Sequence, residues 1–404
     1  MNNIKSRKRK NRNFSRRTGV AGFKHRRNRA KNNTATIDPR RLIKRAVATE
    51  LTEFSPSQSF DQMPIDFKLK ANLRIKGYTY PTQIQQETLE FLNHGRDLVG
   101  VASTGTGKTA AFLIPIINQL LNKGRNNKAL IVVPTRELAL QIEEEFKSLT
   151  RGLRLFSSTF IGGTSVGRDI SKLRRESQVI IGTPGRLLDL TNRGSLRLKE
   201  ISVLVLDEFD RMLDMGFIND IKKLLRSMTS RQQTMLFSAT IDTTQKSLIN
   251  SILSNPVEVS VSSGNSPSDN VEQDVIRVPP EQDKFNILLN LLEGESFEKV
   301  LIFAETKRLV DKVSKRLNQS GVATELIHGN KTQNYRSKAL NKFKKGQVQV
   351  LVATDVAARG IDVIDITHVI NYQIPLTFES YIHRIGRTGR AGKIGKAFTF
   401  VDAA

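Results

Sequence analysis

Ala102-Ser103-Thr104-Gly105-Thr106-Gly107-Lys108-Thr109 constrains this chain more than any other stretch. An apolar run, Leu98-Val99-Gly100-Val101, leads into it, and a helix-forming segment, Ala110-Ala111-Phe112-Leu113, leads out. Strand, glycine-rich turn and helix in that order are what a phosphate-binding loop requires. The glycines let backbone N–H groups approach phosphate oxygens, and the helix N-terminus adds partial positive charge. Lys108 would reach the β- and γ-phosphates, and the Thr109 hydroxyl would hold Mg²⁺. Ala102 stands where the general G-x-x-x-x-G-K-[ST] pattern has its first glycine. A chance glycine turn is the competing reading, and Asp207-Glu208 argues against it. This pair follows the apolar run Val203-Leu204-Val205-Leu206, where a parallel sheet presents its ligand-binding edge. Asp207 can bind Mg²⁺, directly or through water, and Glu208 can orient an attacking water. Phosphoryl transfer asks mainly for positioning and charge neutralisation, and two such carboxylates fit.

At 404 residues the chain is long enough for two or more domains, each with a real core. No apolar run reaches the ~18 residues of a membrane span. There is no cysteine, which excludes disulfides, zinc–thiolate sites and cysteine nucleophiles. A cysteine-free chain also fits a reducing cytoplasm. The net charge of +25 is unevenly spread: residues 1–45 hold 17 Lys/Arg and one acid, Asp38. Such a segment cannot bury enough surface to offset its ordering entropy, so composition predicts a disordered basic tail over 1–45. A polyanionic partner is the natural reading of that tail, with a merely solvating arm as the alternative.

From about Phe60, short β-branched runs alternate with helix-length amphipathic segments. Candidate strands are 97–101, 129–134, 154–160, 178–182, 203–207, 234–238 and 257–261. Several are apolar on both faces, which suits a buried parallel sheet. Pro115 falls inside the helix after the phosphate loop and is expected to kink it. The polar stretch 262–270 reads as a linker. Six more candidate strands follow, at 274–278, 300–304, 324–328, 348–354, 368–372 and 397–401. The expected architecture is α/β, with two doubly wound parallel-sheet domains in tandem, 46–262 and 271–404, joined by the linker 263–270. Only the first carries a phosphate loop.

The motifs resemble, in order, those of the DEAD-box ATP-dependent RNA helicases of superfamily 2, and the resemblance covers Phe60 to Val401. It implies two RecA-like domains, ATP and Mg²⁺ as cofactors, RNA as partner, and a compact bacterial type of enzyme. Gly77-Tyr78-Thr79-Tyr80-Pro81-Thr82-Gln83-Ile84-Gln85 is similar to the adenine-reading Q motif, with Phe60 as its upstream aromatic. Gln85 would pair with adenine, since an amide offers both a donor and an acceptor, and Tyr78 would stack on the base. Ser103 to Thr109 would hold the phosphates. Pro134-Thr135-Arg136, Gly162-Gly163 and Thr183-Pro184-Gly185-Arg186 resemble RNA-backbone motifs, where N–H groups, a hydroxyl and an arginine hold phosphates without reading bases. Ser238-Ala239-Thr240 resembles the motif that couples hydrolysis to strand separation, a role that His383 would share. In the second half, Gln333, Arg336 and Thr354 would face RNA, and Asp362 would accept a ribose hydroxyl. His383-Arg384-Ile385-Gly386-Arg387-Thr388-Gly389-Arg390 resembles motif VI, so Arg387 and Arg390 would act as arginine fingers in cis.

Two positions depart from the family pattern. Phe209 stands where the family has alanine, and its bulk is expected against Ser238-Ala239-Thr240, which bears on the coupling. The residues after the last strand, to Ala404, hold no closing helix of the kind the family usually adds, so the second domain is expected to be marginal. The resemblance implies an RNA-stimulated ATPase that opens short duplexes or remodels RNA–protein complexes. It is expected to work as a cytoplasmic monomer, with ribosomal or RNA-decay assemblies as settings. An ATP-dependent annealer and a nucleotide-gated RNA clamp are the rival readings.

Overall fold

The computed structural model describes residues 37–46, 54–103, 105–123, 127–261, 269–294, 297–358, 363, 365–389 and 393–402. Two all-parallel sheets organise them. The first holds β1 (Leu98–Ala102), β2 (Lys128–Val132), β3 (Ser157–Phe160), β4 (Val179–Gly182), β5 (Ile201–Leu206), β6 (Gln233–Ser238) and β7 (Val257–Val261). Their order is β3-β4-β2-β5-β6-β1-β7. The second holds β8 (Val271–Val278), β9 (Val300–Phe303), β10 (Thr324–Ile327), β11 (Val350–Ala353), β12 (His368–Asn371) and β13 (Gly395–Asp402). Their order is β10-β11-β9-β12-β13-β8.

Each sheet has a core on both faces, and strand alternation decides which side chain goes to which. Val203 and Val205 of β5 join one cluster, while Leu204 and Leu206 join the other. Leu301 and Phe303 of β9 face one side, and Val300 and Ile302 the other. Every residue of β5, β6, β9, β11 and β12 is buried, as a sheet covered on both faces requires. Helices cover these faces, and Pro115 lies inside the helix Lys108–Lys123, which continues through it. Among the described residues no helix is long and apolar enough to cross a membrane.

The strand order positions the chemistry. β6 lies between β5 and β1, so the turn after it sits between the carboxylate pair and the phosphate loop at one sheet edge. The turns after β2, β3 and β4 gather on the other half of that edge.

One expectation from composition is corrected. Residues 37–45, assigned to the tail, are ordered on the second sheet. Ile37 and Leu42 are buried in the cluster that contains Val271, Tyr381 and Ala397. Two apolar side chains that find a core are enough to hold a short basic segment. Residues 1–36 and the linker stretch 262–268 lie outside the described residues.

Candidate nucleotide site and nucleic-acid face

The phosphate loop is built from Gly105 and Gly107, both at positive φ (88° and 93°). A Cβ at Gly107 would collide with the Gln85 amide and lie 2.8 Å from Thr82 Oγ1, so glycine is required there twice over. Thr106 Oγ1 donates to the Ser103 carbonyl at 2.8 Å and closes the turn. Lys108 Nζ, buried, donates to the Ala102 carbonyl at 2.5 Å, so its charge is aimed into the loop. Thr109 follows in the first turn of the helix. Thr104 lies outside the described residues.

Gln85 is the third residue of the helix Gln83–Asn93, whose N-cap is Thr82. Its Oε1 accepts from the Thr82 N–H at 3.0 Å, and its Nε2 donates to the Gly107 carbonyl at 3.0 Å. Each end of the amide keeps one further bonding position, so it remains able to meet a base edge. The residue expected to read adenine is thereby fastened to the loop expected to hold phosphate. Tyr78 Oη donates to Glu145 at 3.2 Å, and the Lys76 ammonium lies 5.1 Å from the ring centroid. Phe60 is buried in the core, and its N–H donates to the Thr79 carbonyl at 3.1 Å, which anchors this segment from below.

Burial pushes the Asp207 carboxyl up to about 7; Lys108 pulls it down and Glu208 adds to the rise. Burial raises Asp210 as well, with Glu208 the next contributor. Glu208 sits at φ 52°, an uncommon backbone conformation for a non-glycine residue, and its Oε2 is buried with no hydrogen-bond partner in the structure. A crowded, desolvated carboxylate cluster with an orphaned oxygen thus lies beside a buried lysine, and it could take a cation. The donor set is hard oxygen, which suits Mg²⁺. Asp207 and Thr109 would hold it, and it would neutralise phosphate charge.

Phe209 is fully buried in the core that contains Leu187, Leu206, Met212 and Leu236, the last of these on the strand that leads into the Ser238-Ala239-Thr240 turn. That turn still meets the acidic motif through Asp210. The Asp210 N–H donates to Ser238 Oγ at 3.3 Å, and the Ala239 N–H donates to Asp210 Oδ2 at 3.3 Å. Ser238 Oγ in turn donates to the Thr240 carbonyl at 2.7 Å. Phe209→Ala is therefore expected to act as a core truncation, with a loss of about 3–5 kcal/mol. The urea unfolding midpoint measures it.

Pro134, Thr135, Arg136, Gly162, Thr183, Gly185 and Arg186 line one cavity of about 430 Å³, together with Gly329, Arg336 and Val356 of the second lobe. Thr135 caps the helix Arg136–Leu149. The Arg136 guanidinium lies so close over Gly163 that a Cβ there would collide with it. Burial lowers the Arg136 guanidinium, with Arg336 adding to the effect. Pro184 starts the helix Pro184–Asn192, with Thr183 as its N-cap.

Two arginines are committed within the protein. Arg186 pairs with buried Asp169 and donates to Thr164 Oγ1 at 3.0 Å and to the Thr164 carbonyl at 2.9 Å. Arg336 pairs with Glu137 across the lobes at 2.8 Å, and Gln333 Nε2 donates to the same carboxylate at 3.0 Å. Gln333 and Arg336 thus join the lobes, where the sequence suggested only RNA. The reason is Glu137, a carboxylate only 4% exposed that needs positive partners. Thr354, buried, follows β11, and its carbonyl accepts from the Ala357 and Ala358 N–H groups.

In the second lobe the helix Phe378–Ile385 leads to the arginine motif. Arg384 is its anchor: Nε and Nη2 donate to Asp355 at 2.6 and 2.7 Å, and Nη1 donates to the Gln373 carbonyl at 3.0 Å. Arg211 of the first lobe lines one crevice with Asp355, Ser380, His383, Arg384 and Arg387. Arg387 is buried. Asp362 and Arg390 lie outside the described residues. Glu137, Asp210 and Arg384 were not singled out from sequence. Each nonetheless lies in or beside a motif: Glu137 follows Pro134-Thr135-Arg136, Asp210 closes Asp207-Glu208-Phe209-Asp210, and Arg384 stands in the arginine motif without a role of its own.

Comparison with known proteins agrees with this geometry. The DEAD/DEAH box helicase family matches residues 82–248, and the helicase conserved C-terminal domain matches residues 283–392. The chain is 43% identical over 342 residues to the ATP-dependent RNA helicase CshA of Listeria monocytogenes, covering 85% of this chain and 66% of that protein. It is 44% identical over 340 residues to the DEAD-box ATP-dependent RNA helicase CshA of Bacillus subtilis, covering 83% and 69%. The chain thus spans about two thirds of the length of these relatives. Among solved structures, S. cerevisiae Dbp5 bound to RNA and ADP BeF3 superposes with a TM-score of 0.77 at 29% identity, over 86% of this chain and 90% of that one. Mss116p bound to ssRNA and AMP-PNP gives 0.76 at 31%, over 89% and 78%. A phosphate loop, an acidic motif and an arginine-bearing second lobe, on two RecA-like sheets, place this chain in the family of DEAD-box ATP-dependent RNA helicases.

Proposed function

We propose that the chain hydrolyses ATP when RNA draws its two lobes together, and that closure opens short RNA duplexes or remodels RNA–protein complexes. The crevice in which Arg211 of the first lobe meets His383, Arg384 and Arg387 of the second supports this reading most directly. Lys108 binds the phosphates, Glu208 orients the attacking water, and Arg387 and Arg390 meet the charge that develops on the transferring group. Asp207 and Thr109 would hold Mg²⁺, which would supply charge neutralisation of the phosphates. Arg136, Gly163, Thr183 and Gly185 hold the RNA backbone, while Arg186 stiffens that surface through Asp169. Ser238, Thr240 and His383 pass the state of one site to the other, and Asp362 meets the ribose. The enzyme acts as a cytoplasmic monomer, alone or within ribosomal or RNA-decay assemblies. The test is ATP turnover and strand separation with and without RNA. Turnover without RNA dependence, or none at all, would remove the reading.

Adenine selectivity follows from Gln85. Guanine would present mismatched groups to the remaining positions of its amide, leaving buried polar atoms unpaired. RNA-stimulated turnover is expected to favour ATP over GTP by about tenfold or more. Comparable kcat/KM values for the two nucleotides would count against Gln85 as the base reader.

Residues 1–36 carry 13 Lys/Arg and no acid. Their deletion should weaken RNA affinity across sequences and flatten its salt dependence, by about 0.7 in the log–log slope for each phosphate that is no longer neutralised. Binding isotherms at several salt concentrations measure this, and an unchanged slope would make the segment a bystander.

A further inference from the structure

The segment Ile37–Lys44 precedes the first lobe in sequence but packs on the second. Asp38 accepts from the Arg40 N–H at 3.0 Å and caps the short turn Pro39–Leu42. Leu42 is fully buried in a cluster with Ile37, Val271, Val369, Tyr381 and Ile385. Lys44 and Gln273 exchange both backbone hydrogen bonds, at 3.0 and 2.7 Å, which extends the sheet beyond its edge strand β8. The Lys44 ammonium meets Asp269 at 2.5 Å.

The segment grips one helix in particular. Arg41 lies 4.7 Å over the ring of Phe378, the first residue of the helix Phe378–Ile385. Tyr381 Oη donates to Gln273 Oε1 at 3.1 Å and reaches the Leu42 carbonyl at 3.5 Å. Ile385, at the helix C-terminus, shares the cluster with Leu42. The same helix carries His383 and Arg384 and leads directly to Arg387, all three lining the crevice with Arg211. One side of the helix is braced by the strap, and the other lines that crevice.

We propose that Ile37–Lys44 is a positioning strap for ATP turnover, in which Arg41 and Leu42 hold the arginine-bearing helix at the angle that the closed cleft needs. The strap acts through Phe378, Tyr381 and Ile385 on where Arg387 comes to rest, and therefore on the step in which charge develops. This rests on the ATPase reading above and assigns a new role within it.

The experiment uses the full chain and deletions Δ1–36 and Δ1–46, with the point variants Arg41→Ala, Leu42→Ala and Leu42→Met. RNA-stimulated kcat, KM for ATP, RNA affinity and thermal unfolding are measured for each. Δ1–36 should lose RNA affinity and keep its kcat at saturating RNA. Δ1–46 should lose kcat by a further factor of roughly 10 to 100, as expected for a small displacement of an aligned group. KM for ATP should hold within about twofold, because the effect appears only in the transition state. Leu42→Ala and Arg41→Ala should show smaller losses of the same kind, and Leu42→Met should recover most of the rate. Peptide 37–46 added to Δ1–46 should restore turnover. Equal kcat for Δ1–36 and Δ1–46, or a lowered melting temperature with kcat per folded molecule unchanged, would overturn the strap. Absence of RNA-stimulated turnover in the full chain would instead overturn the underlying function.

Discussion

Glu208→Gln is expected to bind ATP and RNA as the parent does and to lose hydrolysis by roughly 10²–10⁴, the range for removing a positioned general base. The side chain keeps its size, and the loop around Lys108 is untouched. What goes is the carboxylate oxygen that is buried without a partner, held by a backbone at φ 52°. An unsatisfied acceptor in a strained turn is a place where structure is maintained at a cost, and the water it would orient offsets that cost. A long-lived RNA complex should accumulate in ATP. Single-turnover hydrolysis and filter binding, run side by side, measure both halves of the prediction. Parental turnover in this variant would take Glu208 out of the mechanism.

Loss of the arginines should be larger still. Arg387→Ala and Arg390→Ala are each expected to lower RNA-stimulated turnover by roughly 10³–10⁵ while leaving ATP affinity nearly intact. The interaction forms where charge develops on the transferring group, so ground-state binding barely registers it. Lysine should rescue poorly, because a point charge cannot reproduce the planar fork. A fragment of residues 54–261 tests the same idea from the other side. It contains the first sheet with a core on each face and should fold. It holds Lys108, Asp207 and Glu208 but neither arginine. It should bind ATP weakly and turn over almost none, with or without RNA. Hydrolysis by this fragment at the full-chain rate would show that the second lobe supplies nothing to the chemistry.

The sheets were legible because their strands are apolar on both faces and each ends in a motif. All thirteen observed strands coincide with a run marked from sequence, with ends differing by a few residues. The phosphate loop and acidic motif were legible because local backbone geometry dictates their residues: Gly107 has no room for a Cβ. Pairings between distant side chains left no such trace. Nothing near Arg336 announces that it will neutralise Glu137, and nothing near Arg186 announces Asp169. Phe209 was marked from sequence as unusual, but a local pattern does not say which core its side chain joins. Leu42 escaped notice for a different reason. One buried leucine among arginines has no period, and its value comes from a core assembled elsewhere in the chain.

That leucine changes how the chain divides. The second lobe is a composite of residues 37–46 and 269–402, and the first lobe is an insertion within it. Two covalent connections therefore join the lobes, through residues 47–53 and 262–268, each spanning at most roughly 3.3–3.6 Å per residue. Two connections limit how far the lobes can separate more than one would. Synthesis feels the same topology. The strap leaves the ribosome first but has nothing to bury Ile37 and Leu42 against until β8, β12 and β13 exist. The insertion can fold as it emerges, whereas its host is completed only when sequence from both sides of the insertion meets in one core.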